Sequence, residues 1–230
     1  MATAVALVLA LHGSPVRAET PTDRAAAPPA RAETPARSLD LMAVWRTLLA
    51  RPADTLPPAP PDNPTTAAKV ELGRDLFRDV RLSGAGDRAC ASCHQPGRAF
   101  TDGRPRAAAR DGGDLARNTP ALYDQAWGKA HYWDGRAPSL EAQATVPITH
   151  PRELGGEWNA IVWRLSADPV MAQRFHWAFA TVPPVHQPPI QPATIVAALA
   201  AYERTLMSPL TRFDRWIGGD ATALDANEIA

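Results

Sequence analysis

The sequence predicts an all-α protein. Five stretches place apolar residues at helical spacing, and no stretch alternates with the period of two that a half-buried strand requires. Proline-rich segments at Pro52–Pro64 and Val182–Pro192 punctuate the periodic runs as loops. The 230 residues suffice for one sizeable domain or two small ones. Lys and Arg number 24 against 24 Asp and Glu, so no excess of basic charge points to nucleic acid or anionic lipid.

The first segment, Ala2 to Leu11, is a short apolar run followed by Val16-Arg17-Ala18, small residues of the kind a signal peptidase accepts, although no Lys or Arg precedes the run. Residues 1–18 therefore read as a cleaved secretory signal. About ten apolar residues cannot span a bilayer, so no transmembrane segment is expected there. Residues 19–37 are rich in Ala, Pro and Thr and repeat the pentapeptide RAETP begun at Arg17 and again at Arg31, the composition of a disordered linker. Ser38 is placed to cap a helix whose Leu41, Val44, Trp45, Leu48 and Leu49 share a face, and residues 38–230 read as the folded domain.

From Thr65 onward, Val70, Leu72, Leu76 and Phe77 predict a second helix, in which Gly73 lets a neighbouring backbone or a cofactor edge approach. Ser83-Gly84-Ala85-Gly86-Asp87 breaks the chain, and Gly97 to Arg117 has no periodicity and reads as a long loop. Helices follow at Leu140–Val146 and Trp158–Leu165, the latter resuming after Pro169 as far as Phe179. The last, Ala193–Met207, carries Ile195, Val196, Leu199, Tyr202 and Leu206 on one side.

The two cysteines, Cys90 and Cys93, are three apart and are followed directly by His94. Residues three apart share a helical face, so both thiols can reach the vinyl groups along one edge of a haem while His94 binds iron beneath the ring. Cys90-Ala91-Ser92-Cys93-His94 is thus read as a covalent haem c site. A zinc site would need two further ligands at suitable spacing, and no second cysteine pair exists. A thioredoxin-like redox pair would need a βαβ pattern, which the chain does not show.

Several further segments occur in a fixed order: KVELGRDLF from Lys69, Arg81-Leu82-Ser83, AFTDGR from Ala99, RNTP from Arg117, YWDGR from Tyr132, LEAQA from Leu140, Glu153-Leu154, AAYERTL from Ala200 and Phe213-Asp214-Arg215. Together with the haem motif they resemble the bacterial di-haem cytochrome c peroxidase family, which includes the di-haem enzymes that mature tryptophan-derived cofactors. The resemblance implies an all-α, cytochrome c-like haem domain with long loops, corresponding to the family's N-terminal, peroxide-reacting half. The chain ends at Glu228-Ile229-Ala230 without a second CxxCH, so the second haem domain is expected to be absent and one covalently bound haem c to be present.

The resemblance also implies roles. Glu153 matches the acid-base glutamate, Gln143 a nearby amide, Trp133 the tryptophan lying between the two haems, and Asn118 one ligand of a calcium held between the domains. The implied activity is reduction of hydrogen peroxide in the periplasm, with electrons from a small redox protein or a separate haem module. Oxidative maturation of a partner protein and single-haem electron transfer are the alternatives. One departure stands out. Where many family peroxidases carry a histidine that caps the iron until reduction, this chain has Arg110, and no His or Met occurs from Gln95 to Ala130. An open iron site in the ferric state is the expectation that follows.

Overall fold

The computed structural model describes residues 41–49, 56–180 and 190–229. The signal, the linker and the Ser38 cap expected from the sequence lie outside them, as does most of the second proline-rich loop. The described residues form helices α1 (Leu41–Leu49), α2 (Ala67–Phe77), α3 (Cys90–Cys93), α4 (Leu140–Thr149), α5 (Trp158–Ser166), α6 (Pro169–Phe179), α7 (Pro192–Glu203), α8 (Arg212–Ile217) and α9 (Ala226–Ile229). Among them there is no strand, only three isolated antiparallel bridges within loops.

The centre of the domain is α7. From Ala198 to Glu203 every residue is buried, the mark of a helix packed on all sides. Its alanines let α2 approach so closely that a Cβ at Gly73 would meet the Ala198 carbonyl. Gly73 therefore serves helix packing, which was one of the two uses expected of it. Leu72, Leu76 and Phe77 of α2 pack with Ile195, Leu199 and Tyr202 of α7, and α5 and α6 add Ile161, Leu165, Met171 and Phe175 to the same core.

Local chemistry sets the helix starts. The Thr66 hydroxyl accepts from the Lys69 N–H, Ser139 from Ala142, and the Asp168 carboxylate from Val170 and Met171, each satisfying a donor that the first turn leaves without a partner. Asp168 also pairs with Arg81 at 3.0 Å, which ties the start of α6 to the turn after α2. The Asp168 cap makes α5 and α6 two separate helices.

Two helix ends differ from expectation. α4 continues three residues past Val146, through Pro147. Proline has no N–H for the Gln143 carbonyl, and the Tyr132 hydroxyl donates to that carbonyl instead, at 2.9 Å. α7 stops at Glu203 rather than Met207, because the Thr205 N–H and hydroxyl both turn back to the Tyr202 carbonyl. On α1, Val44, Trp45, Leu48 and Leu49 stay exposed, and Arg46 donates to the Ile217 carbonyl at 3.2 Å.

A polar chain threads the core. The Lys69 ammonium donates to Asn63 Oδ1 at 3.0 Å, Asn63 Nδ2 donates to Glu141 at 2.7 Å, and Glu141 pairs with buried Arg204. Since each buried charge has a partner of opposite sign or a hydrogen bond, the chain links the segment before α2 to α4 and α7 at tolerable desolvation cost.

Candidate functional site

A cavity of about 790 Å³ opens between α3, α4, α7 and the loop from Ala107 to Arg136. Cys90, Cys93, His94, Asn118, Trp133, Gln143 and Glu153, drawn from five separate stretches of sequence, all line it.

On one side lies α3, where one helical turn closed by the His94 N–H on the Cys90 carbonyl, at 2.9 Å, sets both sulfurs on the cavity wall. Burial, with Glu203 adding to it, pushes the Cys90 thiol up to about 12. The His94 ring hydrogen-bonds through Nδ1 to the Phe100 carbonyl at 2.8 Å. A carbonyl only accepts, so the proton sits on Nδ1 and Nε2 keeps its lone pair. That carbonyl is aimed by an uncommon backbone: Ala99 and Phe100 are both left-handed, at φ 53° and 58°. Two such residues in succession cost about 1–2 kcal/mol each, and here they orient the carbonyl that holds the His94 ring. Phe77, with its ring centroid 6.4 Å from that of His94, packs edge-on against Phe100 and Tyr202. Burial pushes the His94 imidazole below its ordinary value, and the Phe100 and Pro120 carbonyls pull part of the way back.

Glu153 stands on the turn after α4. Three backbone bonds fix that turn: Gly84 N–H to the Leu154 carbonyl (2.9 Å), Arg110 N–H to the Arg152 carbonyl (2.8 Å) and Leu154 N–H to the Pro147 carbonyl (3.1 Å). The Ser83-Gly84 break thus packs against the turn, where a Cβ on Gly84 would strike the Gly155 carbonyl. Burial raises the Glu153 carboxyl above the ordinary range, with His150 and Arg136 opposing.

Trp133 is 79% exposed at the rim, which excludes the packing role that a tryptophan ordinarily has. Beside it, Tyr132 is left-handed at φ 68°, its hydroxyl on the Gln143 carbonyl and the Arg136 guanidinium 3.6 Å above its ring.

The family model described as di-haem cytochrome c peroxidase matches residues 67–222. The chain belongs to this family. It is 45% identical over 170 residues to the methylamine utilization protein MauG of Methylorubrum extorquens, covering 74% of this chain and 47% of that one. To the cytochrome c peroxidase Ccp of Escherichia coli it is 33% identical over 172 residues, covering 74% and 36%. A crystal structure of a MauG-like protein associated with microbial copper homeostasis superposes with a TM-score of 0.67 at 35% identity, covering 77% of this chain and 52% of that one. The chain therefore spans about half or less of the length of these relatives, and its fold is the cytochrome c-like, all-α fold expected from the sequence.

For a member of a di-haem cytochrome family, the residues of the cavity fit a haem c. Two cysteines stand one helical turn apart, an imidazole offers Nε2, and Thr119 Oγ1 on the lining is buried without a hydrogen-bond partner, as a polar atom awaiting a ligand would be. Of Arg98, Arg104, Arg106, Arg110 and Arg117 in the long loop, Arg117 alone reaches the lining, while Arg104 pairs with Asp114 at 3.0 Å and Arg98 donates to the Asp102 carbonyl at 2.8 Å.

Sequence reasoning gave no role to several lining residues, among them Arg88, Arg136, Arg152 and Glu203, whereas His150, three positions before Glu153, stood out as a candidate iron ligand. Glu203 is 7% exposed, and burial pushes its carboxyl up to about 8. An acid inside the apolar periodicity of α7 was the available signal. Among the described residues, no group of three or more His, Cys, Asp or Glu is placed to hold a metal ion, and no helix is long and apolar enough to cross a membrane.

Proposed function

We propose that residues 38–230 are the peroxide-reacting haem domain of a periplasmic c-type peroxidase, secreted by way of the signal at residues 1–18. One haem c would be attached through Cys90 and Cys93 with His94 on the iron, and electrons would come from a small redox protein or a separate haem module. The observation that carries the reading is that the Glu153 carboxyl, raised by burial, lines the same cavity as His94.

The haem, when bound, supplies an iron centre at which the O–O bond of hydrogen peroxide is cleaved by electrons. The chain's own residues supply the rest. Glu153 takes a proton from one peroxide oxygen and returns it to the oxygen that leaves. The Gln143 side-chain amide has both a donor and an acceptor with which to orient the substrate. His94, its proton held on Nδ1 by the Phe100 carbonyl, presents Nε2 as a ligand of fixed tautomer. Trp133, at the exposed rim, is the residue through which electrons would enter. Asn118 would need partner ligands to hold calcium, and calcium has no part in these steps.

Oxidative maturation of a partner protein is the second reading, favoured by the 45% identity to the methylamine utilization protein and by Arg110 where a capping histidine would stand. Arg110 is not on the cavity lining. Peroxide turnover by the haem-loaded chain and its Glu153→Gln variant tests both readings against simple electron transfer. The two peroxide-using readings require a ferric spectrum of an open iron site and a slow variant. A low-spin, six-coordinate spectrum with equal turnover in both proteins would leave an electron carrier.

A further inference from the structure

Glu153 has a neighbour that the steps above do not use. His150 caps the C-terminal end of α4, three residues earlier. The N–H groups of Glu153 and Gly155 both donate to its carbonyl at 3.0 Å, and this turn brings the ring back beside the carboxyl. His150 Nδ1 lies 3.5 Å from Glu153 Oε1, and the two side chains are 41% and 34% exposed. Both residues line the cavity. The Arg152 N–H donates to the same Nδ1 at 3.3 Å, so in the neutral ring Nδ1 is the acceptor and Nε2 carries the proton.

From this arrangement we propose that His150 is a proton relay between solvent and Glu153, an inference that rests on the acid-base role of Glu153. One hydrogen peroxide, two electrons from the redox partner and two protons from solvent give two waters. Glu153 can shuttle a proton between the two oxygens but cannot create the two that the reaction consumes. After the carboxylic acid has donated, solvent protonates Nδ1 of the His150 ring in place of its bond from the Arg152 N–H. The imidazolium then faces Oε1 with an N–H, and transfer of that proton restores both the acid and the neutral ring.

The surroundings leave this route open. The Arg152 guanidinium turns away to Asp111, with Nε 2.8 Å from Oδ2. Arg136 from the rim acts on the Glu153 carboxyl, which in turn acts on Tyr132 and on Cys93 of α3. None of these supplies a second imidazole.

The test uses the haem-loaded chain, with covalent haem content and circular dichroism matched among wild type, Glu153→Gln, His150→Ala and His150→Gln. Both His150 variants are expected to turn over peroxide about tenfold more slowly, with KM little changed. Added imidazole should restore His150→Ala, where it has space to bind, and leave His150→Gln as it was. The readout independent of turnover is the infrared C=O stretch of Glu153, assigned by its loss in Glu153→Gln, which should shift when the ring is removed. Full rate in both His150 variants and an unmoved carboxyl band, with Glu153→Gln slow, would overturn the relay while the reading of Glu153 stood. Glu153→Gln at the wild-type rate would overturn both.

Discussion

The His94 side of the cavity and the Glu153 side are built on opposite principles. Around His94 the wall is aromatic, with Phe77 in edge-on contact with Phe100 and Tyr202 and a carbonyl fixed by two left-handed residues. Around Glu153 it is polar and half-exposed, and a turn is pinned by backbone bonds from three directions. The difference suits the two tasks proposed for them. A ligand needs one tautomer and one orientation, which buried packing supplies. An acid-base group needs a raised pKa together with contact to water, which full burial would deny it.

The contrast breaks most completely at the cysteines. Replacing both Cys90 and Cys93 by alanine should abolish covalent attachment, so that acid and organic solvent extract all haem from the variant and none from wild type. Next comes Glu153→Gln, expected to slow peroxide reduction by about 10²–10⁴-fold. Its fold should be little changed, because the backbone rather than the carboxyl holds the turn. Phe77→Ala tests the aromatic side: loss of a fully buried ring should cost about 3–5 kcal/mol, read from denaturant unfolding, and loosen the packing around His94. Smallest is Tyr132→Phe, which leaves the Gln143 carbonyl without its donor and should cost about 1 kcal/mol.

Glu203 sharpens the same contrast through pH. Its carboxyl is raised from an ordinary 4.5 to about 8, so the folded state binds the proton more tightly than the unfolded state does. The stability this lends is fully present below about 4.5 and is lost as pH rises to about 8. Thermal unfolding of wild type should show that decline, and Glu203→Gln should flatten it.

What the sequence made legible follows the same division. The helices on the core side announce themselves because burial imposes a period: Leu72, Leu76 and Phe77 on α2, and Ile195 and Leu199 on α7, are placed by that period alone. Cys90, Cys93 and His94 were legible as a candidate haem site because spacing alone brings them together. Glu153, Gln143 and Trp133 were named only by family resemblance, since Glu153 and Trp133 stand on turns and Gln143 is a polar residue of α4, and none of them contributes to an apolar period. That Glu153 shares a cavity with His94 depends on Gly84 and Arg110, whose bonds to its turn are long-range. The end of α7 was missed because a threonine hydroxyl, rather than a glycine or proline, stops the helix. The continuation of α4 through Pro147 was missed because its compensation is the hydroxyl of Tyr132, fifteen positions earlier in the chain.

The most direct measurement mixes the ferric, haem-loaded protein with hydrogen peroxide in a stopped-flow spectrometer and follows the Soret band in wild type and Glu153→Gln. A fast second-order change is predicted in wild type, and one slowed by about 10² or more in the variant. Equal rates in the two proteins would contradict an acid-base role, because Glu153 would then take no part in the reaction at the haem.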